Sequence, residues 1–423
     1  MDGIGWILTV VISGLLLISV PIAVALGMGV LITMHFLSLP PIFFTPKLFG
    51  ALDTFALVAI PFFILSGEIM QRGSMAKALL NVSRCMVGHV TGGLAHISVL
   101  TCLFYGALCG SGPATTAAVG GFMIPSMIKG GYPRVFSTAV STVGGCLGVM
   151  IPPSVPLILY GASAGLSISN LFIAAIIPGI FVGALLIIVC YFICLFYKYG
   201  TKERMVTFKT FLHSLYEAKY AIMVPLIVLG GIYGGITTPT EAGCIAVVYA
   251  VIVECFITKK VNLNIFIECL AGTVKTSSII FFIVAVAVGL GHLLMYMNIP
   301  DMIVAGITSI TTDKNMIMLL LIGLILICGM FVDGSAMLLV LTPLILPILK
   351  QTGIDPTHFG IVFLLALAIG FVTPPVGVNL FVGCGIGKVS IEKLSWGSLP
   401  LVGAMLLALL VVAYVPELSL CLL

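Results

Sequence analysis

Two short polar stretches and two of the three Pro-Pro pairs interrupt long apolar runs of the chain. The polar stretches are Cys109-Gly110-Ser111-Gly112-Pro113-Ala114-Thr115-Thr116 and Val332-Asp333-Gly334-Ser335-Ala336. The pairs sit in Ile151-Pro152-Pro153-Ser154 and Thr373-Pro374-Pro375-Val376-Gly377. Proline has no backbone N–H and pushes the preceding residue out of the helical region. Two in a row break a helix and leave carbonyls one turn earlier without partners. At membrane depth such carbonyls persist only where protein, water or an ion satisfies them. Freed carbonyls suit a hard cation such as Na⁺, and half-helix N-termini suit an anion. The spacing predicts two sodium sites built mostly of backbone oxygens. One joins Ser111 and Gly112 to the break at Ile151 and Pro153. The other joins Gly334 and Ser335 to the break at Thr373, Pro374 and Gly377. An anionic ligand is expected on Ser111 and Thr115, with Asp333 and Asn379 as further contacts.

Asp333 occupies the position that Ser111 holds in the first stretch. A carboxylate at membrane depth is costly and marks a functional site by default. Its chemistry is to offset Na⁺ or to accept hydrogen bonds from ligand hydroxyls. The competing reading is a helix cap, accepting from the backbone N–H of Ala336 or Met337. Other chemistry is missing from the sequence: there is no HExxH, no Walker A, no CxxC and no Cys/His cluster. No cofactor or transition metal is expected, only Na⁺. Gly161-Ala162-Ser163-Ala164-Gly165 matches GxSxG, but it closes a helix instead of joining a strand to one. A small-residue helix contact is favoured there over an intramembrane hydrolase.

The elements that position these residues must lie in a bilayer. Of 423 residues, 61% are hydrophobic and 8% charged, against roughly a quarter charged in soluble domains. This excludes a soluble enzyme, a nucleic-acid binder and a disordered chain. Long continuous apolar runs exclude a β-barrel. The fold class is an all-α polytopic membrane protein, with apolar segments at 55–71, 95–128, 135–165, 171–197, 220–236, 244–258, 276–297, 315–349, 360–388 and 397–415. Residues 5–35 read as a retained anchor of one long helix or two short ones. The twelve scattered cysteines read as small buried hydrophobes. His96 and His292 are expected as hydrogen-bonded core, and Glu68 and Asp53 as partners of a cation or a helix end. Lys198, Lys202, Arg204, Lys209 and Lys219 mark one cytoplasmic loop, and Lys259 and Lys260 another. From these anchors Lys129 and Arg134 fall inside. Lys350, Asp355, His358 and the C-terminus fall outside.

A shift of 222 positions superposes Gly112 on Gly334, Gly148 on Gly370, Pro152-Pro153 on Pro374-Pro375 and Gly161 on Gly383. Over 111–165 against 333–387 ten positions are identical without a gap, and eight of them are Gly or Pro. Those residues dictate backbone geometry. The charge anchors give the copies opposite orientations, so an inverted repeat is expected. Each copy would hold a re-entrant hairpin (95–128 and 315–349) with arms of 13–15 residues, too short to cross. A broken helix follows each hairpin (135–165 and 360–388).

The stretches CGSGPATTAAVGGFMIP, MIPPSVPLILYG, FVTPPVGVNLF and, at 56–70, ALVAIPFFILSGEIM resemble the large membrane (M) subunit of TRAP transporters, the tripartite ATP-independent periplasmic family. The resemblance runs nearly the whole chain. It implies Na⁺-coupled uptake of a small organic acid of the sialic acid, sugar acid or C4-dicarboxylate class across the bacterial inner membrane. It implies two partners, a small four-helix Q membrane subunit and a periplasmic substrate-binding P protein. No Q segment is seen fused at the N-terminus, so Q is expected as a separate polypeptide. It also implies an elevator, with a transport domain sliding on a scaffold. The expected organisation is scaffold helices in 1–50, a first half in 51–165, scaffold helices and a cytoplasmic loop (198–219) in 166–260, a second half in 261–388, and a C-terminal scaffold helix in 389–423. Helices 55–71 and 276–297 are grouped with the transport domain. The alternative within transport is a stand-alone sodium/divalent-anion symporter with no binding protein.

Overall fold

The computed structural model describes residues 2–18, 20–200 and 207–423, and in them every regular element is helical. Two helices, α1 (Asp2–Leu17) and α2 (Ile22–Phe36), fill the first apolar stretch. They part at Pro21, whose extended backbone (φ −54°, ψ 137°) cannot continue α1. After α3 (Thr45–Leu52) come α4 (Ala59–Arg72) and α5 (Met75–Val87). Next are α6 (Gly93–Cys109) and α7 (Gly112–Lys129), joined by the first polar stretch. The first broken helix follows as α8 (Arg134–Gly144), α9 (Leu147–Met150) and α10 (Val155–Ala164), and then α11 (Ile168–Tyr197).

The basic segment expected as a loop over 198–219 contains α12 (Phe208–Glu217). Its Lys202 and Arg204 lie outside the described residues. α13 (Lys219–Tyr233) and α14 (Pro239–Val251) follow, the latter running into a π-helical turn, Ile252–Ile257. α15 (Leu263–Tyr296) has 34 residues, α16 spans Ile299–Ile310, and α17 (Lys314–Gly329) and α18 (Gly334–Thr352) flank the second polar stretch. The second broken helix is α19 (Pro356–Gly370) and α20 (Val378–Gly387), before α21 (Ile391–Tyr414) and α22 (Glu417–Leu420). Among the described residues six helices are long and apolar enough to cross a membrane, or eight if each bent pair counts as one span.

The arms flanking the polar stretches have 17, 18, 16 and 19 residues, longer than expected. The charged residues Lys129 and Lys350 fall inside the helices, because glycines stop them. Gly353 caps α18 at φ +67°. At 19 residues α18 is long enough to span.

The element order of 59–197 recurs in 281–414. Adding 222 to the bounds of α7 gives 334–351, observed 334–352, and adding it to α10 gives 377–386, observed 378–387. Adding it to α5 gives 297–309, observed 299–310, and to α11 gives 390–419, observed 391–414. At the centre Cys146 donates to the carbonyl of Ala368, its own counterpart 222 residues on, at 3.1 Å.

Packing divides the helices into two bodies. One contains α6–α11 and α17–α22, the other α1–α4 and α12–α15; α5 and α16 bridge them, and α15 packs directly on α18 and α4 on α6. The halves of the first body interlock: α10 packs on α18, and α20 packs on α7. α11 and α21, expected with the scaffold, pack on the broken helices and on each other. α4 and α15, expected with the hairpins, pack on α14, α2 and α3, and α15 packs as closely on the hairpin arm α18 as on α2. Helix association in lipid depends on small residues that let backbones approach. A Cβ on Gly106 would meet Gly148 Cα at 2.9 Å, and one on Gly370 would meet the Gly329 carbonyl oxygen at 2.8 Å. The same glycine crossing therefore holds the first arm of each hairpin to its broken helix. The deepest core is α19, buried at every residue from His358 to Gly370.

Candidate functional site

The seam between the bodies holds a cavity of about 810 Å³. Both polar turns reach it: Gly110 and Ser111 from the first, Asp333 and Ser335 from the second. Val149, Val155 and Phe371 line it from the breaks, and Glu68, Gln71, Lys275 and Thr276 from α4 and α15. Clefts at domain interfaces with a few convergent polar groups are the usual form of a small-molecule site.

The first turn and the first break are brought together. Val155 N–H donates to the Gly110 carbonyl at 3.4 Å, and a Cβ on Gly110 would lie 2.5 Å from the Pro153 carbonyl oxygen. Ile151, Pro153 and Ser154 are buried, and the Ser154 hydroxyl donates to the Val149 carbonyl at 2.5 Å. Thr115 does not face the cavity. It is fully buried and donates to the Ser111 carbonyl at 2.8 Å.

The second break is arranged differently. Val376 N–H donates to the Met330 carbonyl at 3.1 Å, joining turn to break. Gly334 packs on Phe371, whose ring would lie 2.7 Å from a Cβ there. The Thr373 hydroxyl donates to the Ile369 carbonyl at 2.7 Å, while the carbonyls that the prolines leave, those of Gly370 and Phe371, accept from the N–H of Thr373 at 3.2 Å and of Asn379 at 3.0 Å. Pro374, Pro375 and Val376 are exposed, and Gly377 adopts φ +41°. Both Pro-Pro peptide bonds are cis.

Asp333 caps α18. Its Oδ1 accepts from the N–H of Ser335 at 3.0 Å and of Ala336 at 3.4 Å. The residue is half-buried and lines the cavity, so the cap and the carboxylate facing the seam belong to one side chain. Asn379 is fully buried beside Gly112, and its Nδ2 donates to the Thr142 carbonyl at 3.4 Å. Among the described residues its Oδ1 and the hydroxyls of Thr116 and Thr142 have no partner. Buried unpartnered oxygens are rare, and neutral ones suit a water or a hard monovalent cation.

The sequence reading missed Lys275, the one lysine or arginine lining this cavity. It placed the start of the apolar segment at 276. A lysine followed by Thr276-Ser277-Ser278, twelve residues into a 34-residue helix, was the available signal. Glu68 lies 3.4 Å from Arg72, which also pairs with Glu268. His96 is core as expected, its Nε2 2.8 Å from the Thr91 carbonyl. His292 is not: it is half-buried and lines a second cavity of about 540 Å³. Ser163, from the GxSxG stretch, lines that cavity too but makes no hydrogen bond among the described residues.

The family described as tripartite ATP-independent periplasmic transporter, DctM component, matches residues 9–418. The chain belongs to that family. DctM proteins are transporter components and not enzymes, which sets the hydrolase reading of Ser163 aside. The chain is 42% identical over 402 residues to the isethionate TRAP transporter permease protein DctMQ of Oleidesulfovibrio alaskensis, covering 95% of this chain but 63% of that one. It is 37% identical to the C4-dicarboxylate TRAP transporter large permease protein DctM of Pseudomonas aeruginosa, covering 89% and 88%. It is 34% identical to the sialic acid TRAP transporter large permease protein SiaM of Vibrio cholerae, covering 90% and 89%. The YdaH transporter of Alcanivorax borkumensis has a similar fold, with TM-score 0.61, 17% identity, and 88% and 87% of the chains covered.

Proposed function

We propose that the chain is the large permease of a three-part importer that carries a small organic acid across the bacterial inner membrane, coupled to Na⁺. A periplasmic binding protein delivers the acid, and a small Q membrane subunit completes the complex. The relatives named for isethionate, C4-dicarboxylates and sialic acid support a carboxylate or sulfonate cargo. The relative named DctMQ supports the Q partner. The observation that carries the reading is the seam cavity, where both polar turns meet Lys275 between two separately packed bodies.

Lys275 neutralises the acid's anionic group, and the Ser111 and Ser335 hydroxyls fix its orientation. Asp333 offsets bound Na⁺. Sodium is held by carbonyls of the first turn and break and by the neutral oxygens of Thr116, Thr142 and Asn379. The contact of Cys146 with its counterpart Ala368 supports a two-fold relation between the halves, with the orientations inverted by the charge anchors. The body that holds both turns slides against the other as an elevator, carrying the cavity across the membrane.

The test is uptake into vesicles that contain the full complex, with isethionate, succinate and N-acetylneuraminate as cargoes. An inward Na⁺ gradient is expected to drive uptake of one of them, and K⁺ in place of Na⁺ to abolish it. Uptake unaffected by that exchange would overturn the coupling.

A further inference from the structure

The second cavity lies in the same seam, farther along α15. Lys275, Thr276 and Ile283 line the first cavity, and Val284, Val288 and His292 the second. One helix therefore runs past both. From Lys275 to His292 is 17 residues, about 25 Å at 1.5 Å per residue. The second cavity is closed on the other body by Ser163 at the end of α10 and by Leu339 and Pro343 of α18.

The two cavities differ in charge. The first mixes Glu68 and Asp333 with Lys275. The second is lined by Lys47 and His292 with no acidic side chain, and Thr54 and Ser163 add hydroxyls. Lys47 lies within electrostatic reach of His292. A cleft of one sign with apolar walls focuses its field and concentrates ions of the other sign. One ammonium, an imidazole and two hydroxyls match an oxyanion group, and 540 Å³ is within the range for small ligands.

We infer that this second cavity is a receiving site for the carboxylate or sulfonate of an organic anion, on the membrane face opposite the basic 198–219 segment. The site is separate from the one at the polar turns. Lys47 supplies the attraction, and His292, Thr54 and Ser163 supply hydrogen bonds. The inference rests on the transport reading for its purpose, and its sidedness rests on the charge anchors. Its chemistry does not depend on either.

The test measures charge selectivity without transport. Ser163→Cys places a thiol in the cavity of the full chain, in right-side-out membrane vesicles. The thiol is reacted from outside with sulfonatoethyl methanethiosulfonate, an anion, and with the trimethylammonioethyl reagent, a cation. Rates are normalised to a free thiol and to the parent chain, whose exposed Cys244 and Cys421 give the background. The anionic reagent is expected to be favoured about three- to tenfold at low salt, less so as salt rises. Adding Lys47→Gln should abolish the preference, Lys47→Arg should keep it, and excess isethionate should slow labelling. Thr54→Cys serves as a second reporter if Ser163→Cys is not inserted. An unchanged ratio in Lys47→Gln overturns the site. Loss of the preference when phosphatidylglycerol is added to phosphatidylcholine vesicles, with no protection by isethionate, overturns it in favour of a lipid headgroup. Labelling only from the cytoplasmic face overturns the sidedness, while Na⁺-independent uptake overturns the transport reading and leaves the charge preference standing.

Discussion

Glu254 offers the sharpest quantitative test of how the bodies are joined. It sits in the π-helical turn after α14 and is fully buried. Its Oε1 accepts from the N–H of Ser74 at 2.8 Å and of Met75 at 3.0 Å, and its Oε2 accepts from Thr258 Oγ1 at 2.6 Å. Glu254 therefore serves as the N-terminal cap of α5, a bridge between the bodies, from 180 residues away. Glu254→Ala strands two backbone donors, each worth about 1.5–3 kcal/mol when bonded to a charge. Relief of the carboxylate's own desolvation opposes that loss, and Ser74 is only half-buried. The net expectation is about 3 kcal/mol, or roughly 3–6 °C in the melting midpoint of a large domain. Gly73 supplies the control. A Cβ there would lie 2.2 Å from Glu254 Cδ, so Gly73→Ala must expel the carboxylate and cost about as much. With Glu254→Ala already made, the clash is gone. The double variant should then melt near Glu254→Ala alone, a coupling of about 2–3 kcal/mol by the double-mutant cycle. Thermal unfolding of the detergent-solubilised protein reads all four. Additive losses, or Glu254→Ala melting within the error of the parent, would refute the clamp.

Three further outcomes follow from the site. Asp333→Asn keeps the cap, since Asn serves as well as Asp at an N-cap, and removes the charge. It should melt as the parent does while uptake falls below a tenth (a loss of at least about 1.4 kcal/mol in transition-state terms), and normal uptake would reduce Asp333 to a cap. Lys275→Gln should raise the half-saturating concentration of the organic acid about tenfold or more, the scale of one charge-assisted bond, leave the Na⁺ dependence unchanged, and be rescued in part by Lys275→Arg. Gly106→Ala and Gly370→Ala each force a methyl against backbone at 2.9 and 2.8 Å and should cost about 1–3 kcal/mol, whereas Gly121→Ala, with nothing within 4 Å, should be neutral in the same melting assay.

Much of the backbone was legible because glycine and proline write geometry directly. The polar turns, both breaks and the 222-residue repeat follow from residues that no packing can overrule. What stayed hidden was what depends on neighbours far along the chain. The repeat extends through α5 and α11 to α16 and α21, yet those helices share position with only scattered identities such as Met75 with Met297 and Pro178 with Pro400, so a residue-by-residue comparison stops at 111–165. The packing partners of α4, α11, α15 and α21 were not legible because hydropathy marks a helix as buried without saying on what. Lys275 was hidden by a segment boundary one residue too late. His292 was read as core because an apolar helix gives no sign of which face borders a cavity.

The departures from the repeat carry the chemistry. Where the halves agree the space for a side chain is taken: at Gly148 and Gly370 a Cβ would meet backbone oxygens at 2.6 and 2.8 Å, at Gly334 the Phe371 ring at 2.7 Å, and at Gly112 the side chains of Phe371 and Asn379 at 3.3–3.4 Å. Where they disagree, the environment differs. Ser154 is buried and satisfies the Val149 carbonyl, whereas its counterpart Val376 is exposed and offers its backbone N–H to Met330. Leu157, buried against no polar demand, corresponds to Asn379, whose amide fills the space beside Gly112. Ser111 corresponds to Asp333, so the two turns bring one hydroxyl and one carboxylate to the same cavity. A strictly symmetric pair of turns would present either no fixed charge or two like charges there. Two carboxylates sharing one site repel and raise each other's proton affinity. The single substitution at the turn gives the cavity one acid from the repeat, and Lys275 and Glu68 come from the other body. The charges that line the cavity are thus split across the seam.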